Sequence, residues 1–189
     1  MATEYPGMRA GAGELPSATE VLRAFRATGD RLSGHRLLEA AHRLARCHEL
    51  RRRAEQTARE PDASEVLVAG CRRLLDDIDQ DRALEVARID GWVAEHIVHR
   101  DGASMHTETL GAVIDRLAAK WVAAQQALGL PSAEPEPPAE APGGVRQRLG
   151  QHGVSGEARL QWVRLAELAD GYRDLITDVV ERRRRLPVF

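Results

Sequence analysis

Apolar side chains recur at steps of three and four along most of this chain, and glycine, proline and short polar runs interrupt them. That period is the mark of amphipathic helices. The clearest run is residues 105–129, whose stripe is Leu110, Ile114, Leu117, Trp121, Ala124 and Leu128. Its opposite face is small rather than polar: Gly111, Ala112, Ala118, Ala119, Val122 and Ala123. A helix that is apolar nearly all round is buried on both sides, so this one is expected at the centre of the fold. A threonine caps its start and Glu108 is read into its first turn. Asp115 falls on the small-residue face. It needs a partner there, because an unpaired buried charge is costly.

Around that helix the rest is expected to wrap. Residues 1–16 hold Pro6, Gly7, Gly11, Gly13 and Pro16 with little periodicity, and read as a flexible tail. Ser17-Ala18-Thr19-Glu20 fits a capping box that opens a short helix carrying Val21, Leu22, Phe25 and Leu32. A second helix is predicted from about His35 to Arg59, with Leu37, Leu38, Ala41, Leu44 and Ala45 as its stripe. The stripe then reaches His48, where an apolar residue is due. A third runs from about Ala63 to Val98 through Leu67, Cys71, Leu74, Ile78, Val86, Ile89, Val93 and Ile97. Arg82 takes the slot between Ile78 and Val86. Residues 131–144 are rich in proline and glutamate and read as an extended linker, with a short helical piece at 145–149. The last helix is predicted from Gly156 to Arg185, on Leu165, Leu168, Tyr172, Leu175, Ile176 and Val179. The sum is an all-α fold: a mostly antiparallel bundle of four long helices plus a short N-terminal one. It forms a single domain over 17–187, interrupted by the linker.

Composition narrows this picture. At 189 residues there is room for one domain with a real core. A formal charge of −2 gives no bulk drive toward nucleic acid or an acidic membrane. All the basic residues but Lys120 are arginine, so a single arginine carries less information than usual. Two Phe, two Tyr and three Trp, with few β-branched runs, argue against a sheet protein. Arg182 to Arg185 fall in the predicted last helical turn, where they complement the dipole; without aromatic interleaving they do not read as a nucleic-acid patch. Cys47 and Cys71 are isolated and read as core thiols in a reducing compartment. No apolar run approaches the ~18 residues that a spanning helix requires. The expected location is the cytoplasm, with no membrane partner.

Three kinds of chemistry fit the polar positions. The first is a site between helices, built from His42 and Glu49 on the second helix, Arg82 on the third, and Glu108, Asp115 and Arg116 on the fourth. A histidine beside carboxylates does acid–base work near neutral pH, and arginines hold an anion. The same residues equally describe an internal salt-bridge network that fixes helix register. The second is a metal bundle: Glu39-Ala40-Ala41-His42 has the Glu-x-x-His spacing of di-iron carboxylate proteins. Glu95, His96 and His99 supply the residue types of a second copy but not the spacing, so no metal ligand is assigned and no cofactor is named. The third is no catalysis: the small-residue face of the central helix as a homodimer seam in a scaffold or partner-binding subunit.

Three blocks carry a family resemblance. His106-Thr107-Glu108-Thr109-Leu110-Gly111-Ala112-Val113-Ile114-Asp115-Arg116-Leu117 resembles the acid–threonine step into an I-D-R-L helix that marks the bacterial all-helical domain of unknown function numbered 4254. Ile78-Asp79-Gln80-Asp81-Arg82 is similar to its glutamine-rich segment ending in arginine, and residues 42–53 resemble its first long helix. The closing Arg183-Arg184-Arg185-Leu186-Pro187 resembles the end of such members. The chain departs from the family at Ala83-Leu84, where the family is polar, and at Ala45 and Cys47, where it often has asparagine and tryptophan. The resemblance implies an accessory or small-molecule-handling protein of a bacterial surface-glycan or specialised-metabolite pathway, with no activity attached.

Overall fold

The computed structural model describes residues 14–27, 34–129 and 156–187. Five helices follow in order: α1 (Ala18–Arg26), α2 (Arg36–Ala58), α3 (Glu65–His96), α4 (Leu110–Ala127) and α5 (Gly156–Val180). Two short strands, β1 (Ser104–Met105) and β2 (Arg184–Arg185), complete the described elements. The expected linker at 131–144, the helical piece at 145–149, Leu32 and most of the expected tail lie outside the described residues.

The all-α expectation holds, and α4 is the hub: it touches each of the other four helices. Its stripe Leu110, Ile114, Leu117, Trp121 and Ala124 is buried, as are Gly111, Ala118 and Val122 on the small face. Leu128 is the exception; it caps the C-terminus and stays largely exposed. The directions follow from the pairs that meet. Arg51 of α2 meets Asp79 of α3, and Arg43 meets Glu85, so α2 and α3 are antiparallel. Asp90 and Arg82 of α3 meet Gly111 and Asp115 of α4, so that pair is antiparallel too. On the other side Trp121 packs on Phe25 of α1 and edge-on against Trp162 of α5, with centroids 6.3 and 6.0 Å away. The Tyr172 hydroxyl, fully buried, donates to the Pro16 carbonyl at 2.8 Å and ties α5 to the entrance of α1.

Local rules explain the helix ends. Ser17 and Glu20 form the expected capping box, with the Glu20 amide donating to Ser17 Oγ and the Ser17 amide to Glu20 Oε2. Thr109 caps α4 by accepting from the Ala112 amide at 3.2 Å. Glu108 therefore precedes the cap instead of lying in the first turn. The end of α5 differs more. The helix stops at Val180, Arg182 takes a left-handed φ of 57°, and Arg184–Arg185 pair in parallel with Ser104–Met105. The four arginines are not a last helical turn. In α3 the expected stripe also weakens toward the N-terminus: Cys71 and Ile78 are buried, while Leu67 and Leu74 are exposed. This half of α3 extends past the bundle body.

Gly111 sets the spacing of α3 and α4. A Cβ there would come within 2.6 Å of the Val86 carbonyl oxygen and 2.9 Å of Asp90 Oδ1. The small face of α4 is thus used up, at least here, by a neighbouring helix of the same chain. Gly111→Ala forces a backbone shift and is expected to cost about 1–3 kcal/mol, the range for overpacking a tight contact. Urea unfolding would measure it, and an unchanged midpoint would show that α3 gives way freely.

Candidate functional site

The polar positions that interrupt the apolar stripes converge on α2, α3 and α4. His48 stands where α2 turns inward, Arg82 where α3 does, and Asp115 on the packed face of α4. Asp115 Oδ1 lies 2.8 Å from His48 Nε2 and 3.3 Å from Arg82 Nε. Their side chains keep 20, 12 and 33 % of their exposure, respectively for Asp115, His48 and Arg82, so water reaches the cluster from one side. With Nε2–H donating to the carboxylate, the neutral imidazole leaves Nδ1 as its acceptor. The pattern continues outward. Arg82 donates to Asp79 Oδ1 at 2.8 Å; Asp79 also takes Arg51, and Arg51 reaches Glu55 at 3.2 Å.

The electrostatics follow from this order. The hydrogen bond from Arg51 holds the Asp79 carboxyl below its usual range, and the charges of Arg51, Arg82 and His48 add to the effect against partial desolvation. Asp79 in turn raises Arg51. Cys47, buried beside the seam, has its thiol pushed up to about 11, first by burial and then by Asp81, Glu85 and Asp115. It stays protonated and is no nucleophile at neutral pH.

A second polar group lies further along α3. Glu85 is buried and meets two guanidiniums, Arg88 on its own helix and Arg43 Nε at 2.9 Å across from α2. The latter is an ion pair without hydrogen-bond alignment. Beside it opens a cavity of about 440 Å³ lined by Arg36, Glu39, Arg43, Arg88, Trp92 and Glu95. Trp92 stacks on His96 with ring centroids 4.6 Å apart. Arg36 forms no ion pair among the described residues.

Of the six residues singled out from sequence, Arg82 and Asp115 come together. His42 does not join them; its Nδ1–H donates to the Ala24 carbonyl at 3.0 Å and ties α2 to the end of α1. Glu49 pairs with Arg46 of its own helix at 2.7 Å. Glu108 and Arg116 pair with each other at 2.8 Å. His48, Asp79 and Arg51 were not chosen, although His48 carried a visible signal as the polar residue in an apolar slot. Asp90 was also missed. Its Oδ1 accepts from the Gly111 amide at 2.8 Å, which sets a carboxylate against the N-terminus of α4. Among the described residues no three His, Cys, Asp or Glu side chains converge as for a metal ion, and Glu39 lies 4.0 Å from Arg43.

Two outcomes are expected. A double-mutant cycle over His48→Ala and Asp115→Ala should give a coupling of about 0.5–3 kcal/mol in urea unfolding; additive losses would mean the pair does not hold α2 to α4. For Asp90, burial raises the carboxyl pKa above its ordinary value, against the hydrogen bonds from Gly111 and Thr109. The folded state therefore loses stability as pH rises from the ordinary carboxylate range through the raised value. Asp90→Asn lacks that loss, so its melting temperature should exceed the wild type's at pH 7 and the gap should close toward acid pH. A gap independent of pH would contradict this.

Among the described residues no helix is long and apolar enough to cross a membrane. No curated protein and no solved structure matches the chain. A family model described as a protein of unknown function, DUF4254, matches residues 38–188. That span takes in α2 from Leu38 on, α3 to α5 and every residue of the polar seam, and the chain belongs to the DUF4254 family.

Proposed function

We propose that this chain is a cytoplasmic accessory protein that handles a small anionic molecule in a bacterial biosynthetic pathway. The observation that carries the reading is the cavity between α2 and α3, with Arg36, Arg43 and Arg88 around Trp92 and the charged seam behind it. A guanidinium offers paired donors that suit a carboxylate or phosphate. Arg43 and Arg88 link the cavity to the buried Glu85, whose charge acts with that of Asp115 on the Cys47 thiol. The His48–Asp115 pair adds a histidine hydrogen-bonded to a carboxylate, the residue types used in general acid–base catalysis. The pathway, of specialised-metabolite or surface-glycan type, rests on the resemblance alone.

A second reading is a non-catalytic scaffold. It is favoured by the saturation of the seam: Asp79 and Glu85 each already meet two guanidiniums within the chain, and Asp115 meets one guanidinium and the His48 ring. Native mass spectrometry of freshly purified protein separates the two. On the first reading the chain carries a small anion. Arg36→Ala should then lose that mass and only the stabilisation that the bound anion gives, since Arg36 forms no ion pair among the described residues. A bare wild-type chain, with Arg82→Ala affecting only the melting temperature, would leave the scaffold reading.

A further inference from the structure

The outward face of α3 has a pattern that takes no part in the packing among the described residues. Val66, Gly70, Arg73, Asp77, Gln80 and Leu84 follow one another at alternating steps of four and three, and all six are exposed. That spacing makes one seam along a helix, about 27 Å long at 1.5 Å per residue. Val66 and Leu84, at its two ends, are 80 and 57 % exposed. Arg73 and Asp77, in its middle, form no ion pair among the described residues. A Cβ on Gly70 would meet nothing within 4 Å.

The seam is symmetric about Leu75. Val66 and Leu84, Gly70 and Gln80, and Arg73 and Asp77 are equidistant from it. A two-fold axis through that point, perpendicular to the helix, lays a second α3 antiparallel on the first. Each layer then matches: Val66 against the partner's Leu84, Gly70 against the partner's Gln80, Arg73 against the partner's Asp77. Apolar meets apolar, the smallest residue meets a long one, and opposite charges meet twice. Leu74, at 47 % exposure, flanks the seam. An isologous interface requires this self-complementarity, and a random exposed face lacks it. The buried residues of α3 cluster toward its C-terminal half, at Glu85, Ile89, Trp92 and Val93, so the two bundles hang at opposite ends of the pair.

We infer that α3 is the dimerisation helix of this protein, and that its partner is a second copy of the same chain, packed antiparallel about Leu75. The reading is independent of any ligand in the α2–α3 cavity.

Charge exchange tests it. The wild type should run as a dimer in size-exclusion chromatography with light scattering. Arg73→Asp sets two carboxylates against each other, and Asp77→Arg two guanidiniums, so each variant alone should be a monomer with unchanged helicity by circular dichroism. Mixed in equal amounts they should form a one-to-one heterodimer, because Asp at 73 then faces Arg at 77 in one layer and the native Asp77 faces the native Arg73 in the other. A monomeric wild type, a dimer indifferent to both charge changes, or a mixture that stays monomeric would overturn the proposal.

Discussion

A charge lies inside the most packed helix of this protein, and the arrangement of its neighbours follows from that. Asp115 cannot face α2 and α3 without cationic company, since an orphaned carboxylate there would cost several kcal/mol, about 3–5 by analogy with broken buried pairs. One oxygen, Oδ1, takes both His48 and Arg82. The three helices are thereby fixed in register by a single point. Sliding α2 by one turn, about 5.4 Å, would take His48 out of reach. The two sides of α4 are unlike as a result. Toward α2 and α3 it faces a seam of ion pairs. Toward α1 and α5 it faces rings and aliphatic groups: Phe25, Trp162, Tyr172 and Leu165.

The N-terminus of α4 shows the same compromise between packing and charge. Gly111 admits the backbone of α3 so closely that the Asp90 carboxylate meets the exposed amides at the helix start. Those amides favour an anion. Burial disfavours it and is the larger effect, which is why the Asp90 pKa moves up. A glycine that shortens the helix spacing thus also sets the desolvation of a carboxylate.

Much of this was legible from residue order. A 3.6-residue period survives whatever the helices pack against, so four long helices and the capping box at Ser17 could be read directly. Charges in apolar slots pointed to Arg82 and Asp115 because few arrangements tolerate them. Partners were harder. His48 finds Asp115 at a separation of 67 residues, and period alone gives a face, not a neighbour. His42 illustrates the error. It shares a face with Glu49 by spacing, yet its Nδ1–H donates to the Ala24 carbonyl near the end of α1, which also accepts from the Ala27 amide. The parallel pairing of Ser104–Met105 with Arg184–Arg185 was beyond reach, since two-residue strands have no period. Arg182 in a left-handed conformation carries no signal in its side chain, so the arginine run looked like more helix.

The length of α3 connects the interior to the surface. At 32 residues it outruns α4 by 14, and its first half contributes only Cys71 and Ile78 to the buried residues of the helix. A bundle of this size does not require such an overhang. Two helices alone bury one stripe each, and here the stripe holds only Cys71 and Ile78 before the charged seam begins. Arg51 and Asp79 clamp the hairpin near its middle, but exposed ion pairs contribute little, about 0–1 kcal/mol. The overhang is therefore the part of the fold with the least internal reason to stay folded, and the part that gains most from a second surface. That its free face is self-complementary about its own midpoint is what a helix selected for pairing with itself would carry. Polar register inside the chain and symmetric register outside it are written on two faces of one helix.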